Sequence, residues 1–125
     1  MNVALGKLFS KELLNLPEKD QQKIFSFIRH VQSKGLDGLE GRNKNSDNVP
    51  TDDPDFIAKV KIALEHKLWH YHIGITSYNR NKPYGDRTSE YILHYKNQIN
   101  PGEVKVIDFS LHPPFRPPSP SYLND

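Results

Sequence analysis

The stretch of sequence that decides the fold is KLWHYHIGIT, residues 67–76. Large apolar side chains alternate in it with smaller or polar ones, and a period of two is typical of a β-strand with two unlike faces. One face carries Trp69, Tyr71, Ile73 and Ile75, and the other carries Leu68, His70, His72 and Gly74. We expect the aromatic face to hold the core and the two histidines to face outward.

Two more strands are predicted after this one, at residues 90–96 and 103–111. The connection between them contains Pro101-Gly102, which suits a hairpin, so the three strands predict an antiparallel meander. Before the first strand, residues 10–34 carry apolar side chains at helical spacing and end at Gly35. They predict two helical pieces that pack on the sheet.

The fold class expected from these elements is α+β, with an N-terminal helical hairpin on one face of a three- to four-stranded antiparallel sheet. The other face would be free to bind a ligand. The length of 125 residues suits one domain, residues 1–125. Residues 35–55 are predicted to be a loop, and alternation over residues 56–64 favours a strand there over a short helix begun by Asp53-Pro54. The proline-rich tail, residues 113–125, is expected to run extended.

Composition excludes several classes of protein. The chain has no cysteine, so it has no disulfides and no thiolate metal site, which fits a reducing cytoplasm. No signal peptide or membrane span is visible, and we expect a cytoplasmic protein without a membrane partner. Between residues 59 and 96 there are seven Lys or Arg against three acids. This local excess suits a polyanionic partner, although a solvated surface would look the same.

Four histidines, at positions 70, 72, 94 and 112, fall on or beside the three predicted strands. One interpretation is a metal site, since a His-x-His pair with a third histidine is a known ligand set. A second is metal-free RNA cleavage, in which histidines transfer protons and Arg or Lys stabilises the phosphate charge. A third is a polar surface without chemistry.

The run from Lys67 to Gly74 resembles the central strand of the RelE/ParE superfamily of toxins, and the order of the later strands agrees. The chain is most similar to the YafO branch, through the His70-x-His72 pair, Arg87-Thr88 before the next strand, Tyr95 late in it, and Leu111-His112 running into Pro113. The resemblance covers about residues 10–116. It implies a RelE-like microbial RNase fold and a type II toxin that cleaves mRNA, typically on the ribosome, and is silenced by a cognate antitoxin.

The resemblance assigns catalysis to His70, His72, Arg87, Tyr95 and His112, and the strand pairing adds His94. Either His70 or His72 would be the general base, and either His94 or His112 the general acid. No metal or other cofactor is expected. Relatives often have arginine where His72 stands, which implies a different distribution of proton-transfer roles in this chain. ParE-type members inhibit gyrase without cutting RNA, so a gyrase inhibitor stays open as an alternative, as does a metal-dependent enzyme built on His70-x-His72. RNA binding is predicted for Lys59, Lys61, Lys67, Arg80, Lys82, Lys96 and Arg116.

Overall fold

The structure is a computed structural model that describes residues 1–112 and 115–125. It is an α+β fold with four helices and a five-stranded sheet. In chain order the elements are β1 (Asn2–Leu5), α1 (Lys7–Leu14), α2 (Glu18–Lys34), β2 (Asn43–Asn45), α3 (Phe56–His66), β3 (Leu68–His72), β4 (Tyr91–Asn97), β5 (Glu103–Leu111) and α4 (Pro120–Leu123).

The sheet is mixed and larger than the sequence suggested. Its strand order is β1-β5-β4-β3-β2, with β1 parallel to β5 and every other pair antiparallel. The expected three- to four-stranded antiparallel sheet is therefore wrong in detail, because two short strands were missed at its edges. β1 has four residues and β2 has three, and strands so short carry little periodicity of their own.

One face of the sheet packs against α1 and α2. Phe9, Leu13 and Phe27 from these helices are buried with Tyr71 and Tyr95 from the sheet. The rings of Phe27 and Tyr71 stack with centroids 4.9 Å apart. The expectation that the aromatic face of the central strand holds the helices is confirmed by this cluster.

Part of the second face is also covered, so the expectation of a fully free face is wrong in detail. Residues 56–66 form α3 where a strand was favoured. Their alternation was misleading because Ile62 and Ala63, which lie side by side in the sequence, share one helix face. They pack with Leu68, Ile107 and Leu123 in a second, smaller cluster. The helix ends at Lys67, whose left-handed conformation (φ 47°) turns the chain directly into β3.

The tail does not stay extended. Residues 115–119 have no regular structure, but Pro120–Leu123 form the short helix α4, in which proline occupies the first turn. Leu123 is buried, and Lys96 and Lys105 donate hydrogen bonds to the carbonyls of Leu123 and Asp125. Pro113 and Pro114 lie outside the described residues. None of the described helices has the length and apolar character that a membrane crossing requires.

Candidate functional site: a buried histidine cluster

Three strands bring four histidines to the second face of the sheet. β3 carries His70 and His72, and β4 places His94 directly opposite His70 in the register. His112 directly follows the end of β5, where its backbone N–H donates to the carbonyl of Glu90 at 2.7 Å. One ring nitrogen from each of His70, His72 and His112 lies within 4.8 Å of the other two. These three histidines are called the histidine cluster below.

The histidines of β3 are not exposed, which corrects the expectation that they face outward. His70 is 7% exposed, His72 is 4% exposed and His94 is fully buried. The ring of Phe115 contributes to this burial, with its centroid 5.0 Å from that of His70. His112 is half-buried and is the cluster member nearest to solvent.

Hydrogen bonds hold the Nδ1 atoms of both β3 histidines. Nδ1 of His70 lies 2.9 Å from the buried hydroxyl of Ser46. Nδ1 of His72 lies 3.0 Å from the carbonyl oxygen of Ser89 and 3.1 Å from its N–H. In the tautomer that donates from Nδ1 to these oxygens, each ring keeps a free lone pair on Nε2. The imidazole rings of His70 and His72 on β3 are therefore both held in a defined orientation.

His94 has a different place from the other three. Its Nε2 lies 2.7 Å from the hydroxyl of Ser110, and its Nδ1 is buried without a hydrogen-bond partner among the described residues. A fully buried ring beneath His70 cannot touch a substrate. Of the two histidines that the sequence offered as the general acid, His94 is therefore enclosed and His112 is the accessible one.

Burial keeps His70, His72 and His94 uncharged at neutral pH. Burial is the main reason that the pKa of His70 falls to about 3 and that of His72 to about 4. The positive charges of the neighbouring histidines, when protonated, and of Lys44 lower the pKa of His70 further. Burial also lowers the pKa of His94 to about 3. His112 is less buried, and its pKa is lowered for the same reason. Neutral imidazoles can accept a proton or bind a metal ion.

A cavity of about 320 Å³ opens on the cluster and is bordered by cations. Arg42 forms an ion pair with Asp86 at 2.6 Å, and Lys59 forms one with Asp53 at 2.7 Å. Lys44 also lines the cavity, pairs with His70 in the register, and makes no ion pair with any described residue. The cavity therefore offers one unpaired cation beside neutral histidines, which suits an anionic ligand.

Two expected members of the site lie elsewhere. Arg87 binds Glu40 at 2.8 Å and packs over the ring of Tyr84, so its charge is already paired outside the cavity. Tyr95 faces the helices on the opposite side of the sheet, is fully buried and donates to Asn43 at 2.6 Å. Neither residue converges with the histidines as the resemblance implied.

The residues predicted to bind RNA are also scattered. Lys59 lines the cavity, whereas Lys96 is half-buried and bonded to the carbonyl of Leu123. Arg80 borders a separate cavity of about 660 Å³ beside α2. The remaining positions, which do not line the cavity, are Lys61, Lys67, Lys82 and Arg116.

Sequence reasoning missed the polar groups that come from residues 35–55. Arg42, Lys44 and Ser46 enter the site because β2 pairs with β3 inside the segment predicted to be a loop. Gly41 makes this approach possible, since a Cβ there would lie 2.0 Å from the carbonyl oxygen of His72. The only sequence signal was the length of the segment, because long loops in small domains are often functional.

Comparison with known proteins gives no further guide: no family model, no curated protein and no solved structure matches this chain.

Proposed function

We propose that the protein is an endoribonuclease of the RelE/ParE type, a toxin that cleaves mRNA by metal-free proton transfer and is silenced by a cognate antitoxin. The observation that carries this proposal is the histidine cluster at the floor of a cavity with an unpaired lysine. The resemblance of the Lys67–Gly74 strand to toxins of that superfamily supports it from the sequence side.

Cleavage of RNA without a metal needs three things near one phosphate: a base, an acid and a cation. The base takes the proton of the ribose 2′-hydroxyl, whose oxygen attacks the adjacent phosphorus and forms the 2′-O–P bond. The acid gives a proton to the 5′-oxygen as the P–O5′ bond breaks. The products are a 2′,3′-cyclic phosphate and a 5′-hydroxyl.

The cavity suggests how these roles are divided. His70 and His72 are oriented by Ser46 and Ser89, so the free Nε2 of either can act as the base. His112 is the least enclosed of the cluster and, in its protonated form, can deliver the proton to the leaving oxygen. Lys44 supplies positive charge for the phosphorane, as preorganised cations do in phosphoryl chemistry.

The proposal is tested by mapping RNA ends after expression in bacteria. We expect growth arrest and new mRNA 5′ ends that carry a hydroxyl group, and purified protein should cut ribosome-bound mRNA in EDTA. His112→Ala should reduce cleavage at least 100-fold, in line with the loss of one proton-transfer group. His66→Ala is the matched control, because His66 lies on α3 and does not line the cavity.

A negative result would identify the rival function. Growth arrest with intact mRNA and damaged DNA would refute the nuclease and support a gyrase inhibitor. Equal cleavage by His112→Ala and the wild type would refute the assignment of the site. Co-expression of a neighbouring small gene that abolishes growth arrest would support the antitoxin partner.

A further inference from the structure

The histidine cluster has a second chemical capacity that RNA cleavage does not use. Its ring nitrogens lie within 4.8 Å of one another, and three imidazoles with an open fourth position form a ligand set found in catalytic zinc sites. We propose that His70, His72 and His112 bind one zinc-class divalent ion, and that this ion blocks the cleavage proposed above.

The hydrogen bonds around the cluster are those that a metal site needs. A histidine that binds a metal through one nitrogen commonly donates its other N–H to an oxygen, which fixes the ring. The Nδ1 atoms of His70 and His72 already lie 2.9 and 3.0 Å from the hydroxyl of Ser46 and the carbonyl of Ser89. With Nδ1 protonated, both rings keep Nε2 for a metal, and in His72 this tautomer replaces the hydrogen bond that Nδ1 accepts from the N–H of Ser89.

The distance requirement calls for the three rings to move closer together. Zinc binds imidazole nitrogen at about 2.0–2.1 Å, so tetrahedral ligands lie roughly 3.4 Å apart. His70 and His72 are fixed on a central strand, whereas His112 is half-buried and follows the end of β5. The ring centroids of His70 and His72 are 6.2 Å apart and that of His112 lies 5.6 and 5.3 Å from them, so side-chain rotations in the β3 pair as well as in His112 are needed to close the site.

The surroundings select the type of ion. The three ligands are all nitrogen, and the nearest carboxylate in the cavity, Asp53, is engaged by Lys59. Magnesium and calcium prefer oxygen ligands, whereas imidazole suits zinc, nickel and copper. Arg42 is likewise neutralised by Asp86, so the repulsion felt by an incoming cation comes mainly from Lys44.

The consequence for cleavage rests on the proposed function. A bound ion would occupy the same lone pairs that accept the 2′-hydroxyl proton, and it would fix the His112 ring that donates to the leaving oxygen. Zinc should therefore inhibit cleavage at one equivalent, and EDTA should restore it.

The test measures binding and cleavage separately. Protein dialysed against zinc sulfate is analysed for metal content, and cobalt(II) is added to report tetrahedral geometry by its visible absorption. We expect one zinc per chain in the wild type and in His66→Ala, and less than a tenth of that in His112→Ala. If His112→Ala is unfolded by circular dichroism, Ser46→Ala provides the second variant, with at least tenfold weaker zinc binding expected.

Each outcome bears on one proposal. No stoichiometric zinc in the wild type, or equal zinc in the folded variants, overturns the metal site and leaves the nuclease untouched. Zinc binding by a protein that never cuts RNA overturns the nuclease and leaves the metal site. Cleavage that requires zinc overturns the inhibitory role.

Discussion

Lys44→Gln offers the most direct test of how the cavity holds an anion. Lys44 is exposed, lines the cavity and pairs with His70 in the register of β2 and β3. The two other cations there, Arg42 and Lys59, are already paired with Asp86 and Asp53. Lys44 should therefore supply the one full charge that the cavity offers to a phosphate.

The expected size of the effect follows from counterion release. Each phosphate that a protein cation neutralises on a single strand contributes about 0.7 to the slope of log affinity against log salt concentration. Loss of one such contact should lower the slope by about 0.7. Between 50 and 200 mM salt, the wild type should then lose roughly 2.5-fold more affinity than the variant, and at 150 mM it should bind about fourfold more tightly.

The assay is fluorescence anisotropy with a labelled 2′-O-methyl RNA, which binds but cannot be cleaved, in EDTA at four salt concentrations. Lys34→Gln is the matched control, since Lys34 is an equally exposed lysine at the end of α2 on the other face of the sheet. An unchanged slope in Lys44→Gln, or an equal change in Lys34→Gln, would show that RNA does not enter this cavity.

Three further substitutions test the surroundings of the site. Ser46→Ala leaves the buried Nδ1 of His70 without its hydrogen-bond partner. The free energy of unfolding, measured by calorimetry, should fall by about 1–3 kcal/mol, and cleavage should fall at least tenfold. Unchanged stability would contradict that hydrogen bond. Gly41→Ala forces a Cβ against the carbonyl of His72 and should cost about 1–3 kcal/mol in urea unfolding; a neutral effect would show that β2 does not depend on this close approach. Burial raises the pKa of Asp108 to about 6 from its usual 3.8, so the carboxylate destabilises the fold increasingly as pH rises between these values. Asp108→Asn should therefore gain at most about 3 kcal/mol over the wild type at pH 8, and about 1.4 kcal/mol less than that at pH 5, when the two proteins are unfolded in urea. A gain that did not grow with pH would be inconsistent with a raised pKa.

The central part of the fold was predictable because its signals are local. The alternation in residues 67–76 marks β3, and the apolar spacing in residues 10–34 marks α1 and α2. β1 was missed because it gains its hydrogen bonds from β5, about a hundred residues away in the chain. No pattern within four residues can report a partner at that distance.

The sequence predicted which histidines come together in the candidate site, but it did not predict their burial or the residues around them. The alternation in β3 correctly groups His70 and His72 on one face, and the order of strands brings His112 beside them. Phe115, in a tail expected to stay extended, contributes to their burial. Lys59 lines the same cavity from α3, where the alternation in residues 56–64 favoured a strand. Lys44 was missed because a three-residue strand inside a polar segment has no recognisable pattern.

Because the histidines are buried, RNA cleavage by proton transfer and metal binding compete for the same ring nitrogens, and an experiment can distinguish them. Exposed histidines would titrate near neutral pH, but His70 and His72 each have Nδ1 held by a hydrogen-bond partner and leave only Nε2 for a single small cavity. A proton from a ribose hydroxyl and a zinc ion need the lone pair of that nitrogen, so the two uses exclude each other at any one moment. The RNA ends record which one operates: attack by the 2′-hydroxyl leaves a cyclic phosphate in the presence of EDTA, whereas attack by a metal-bound water would leave no cyclic phosphate and would cease when the metal is removed.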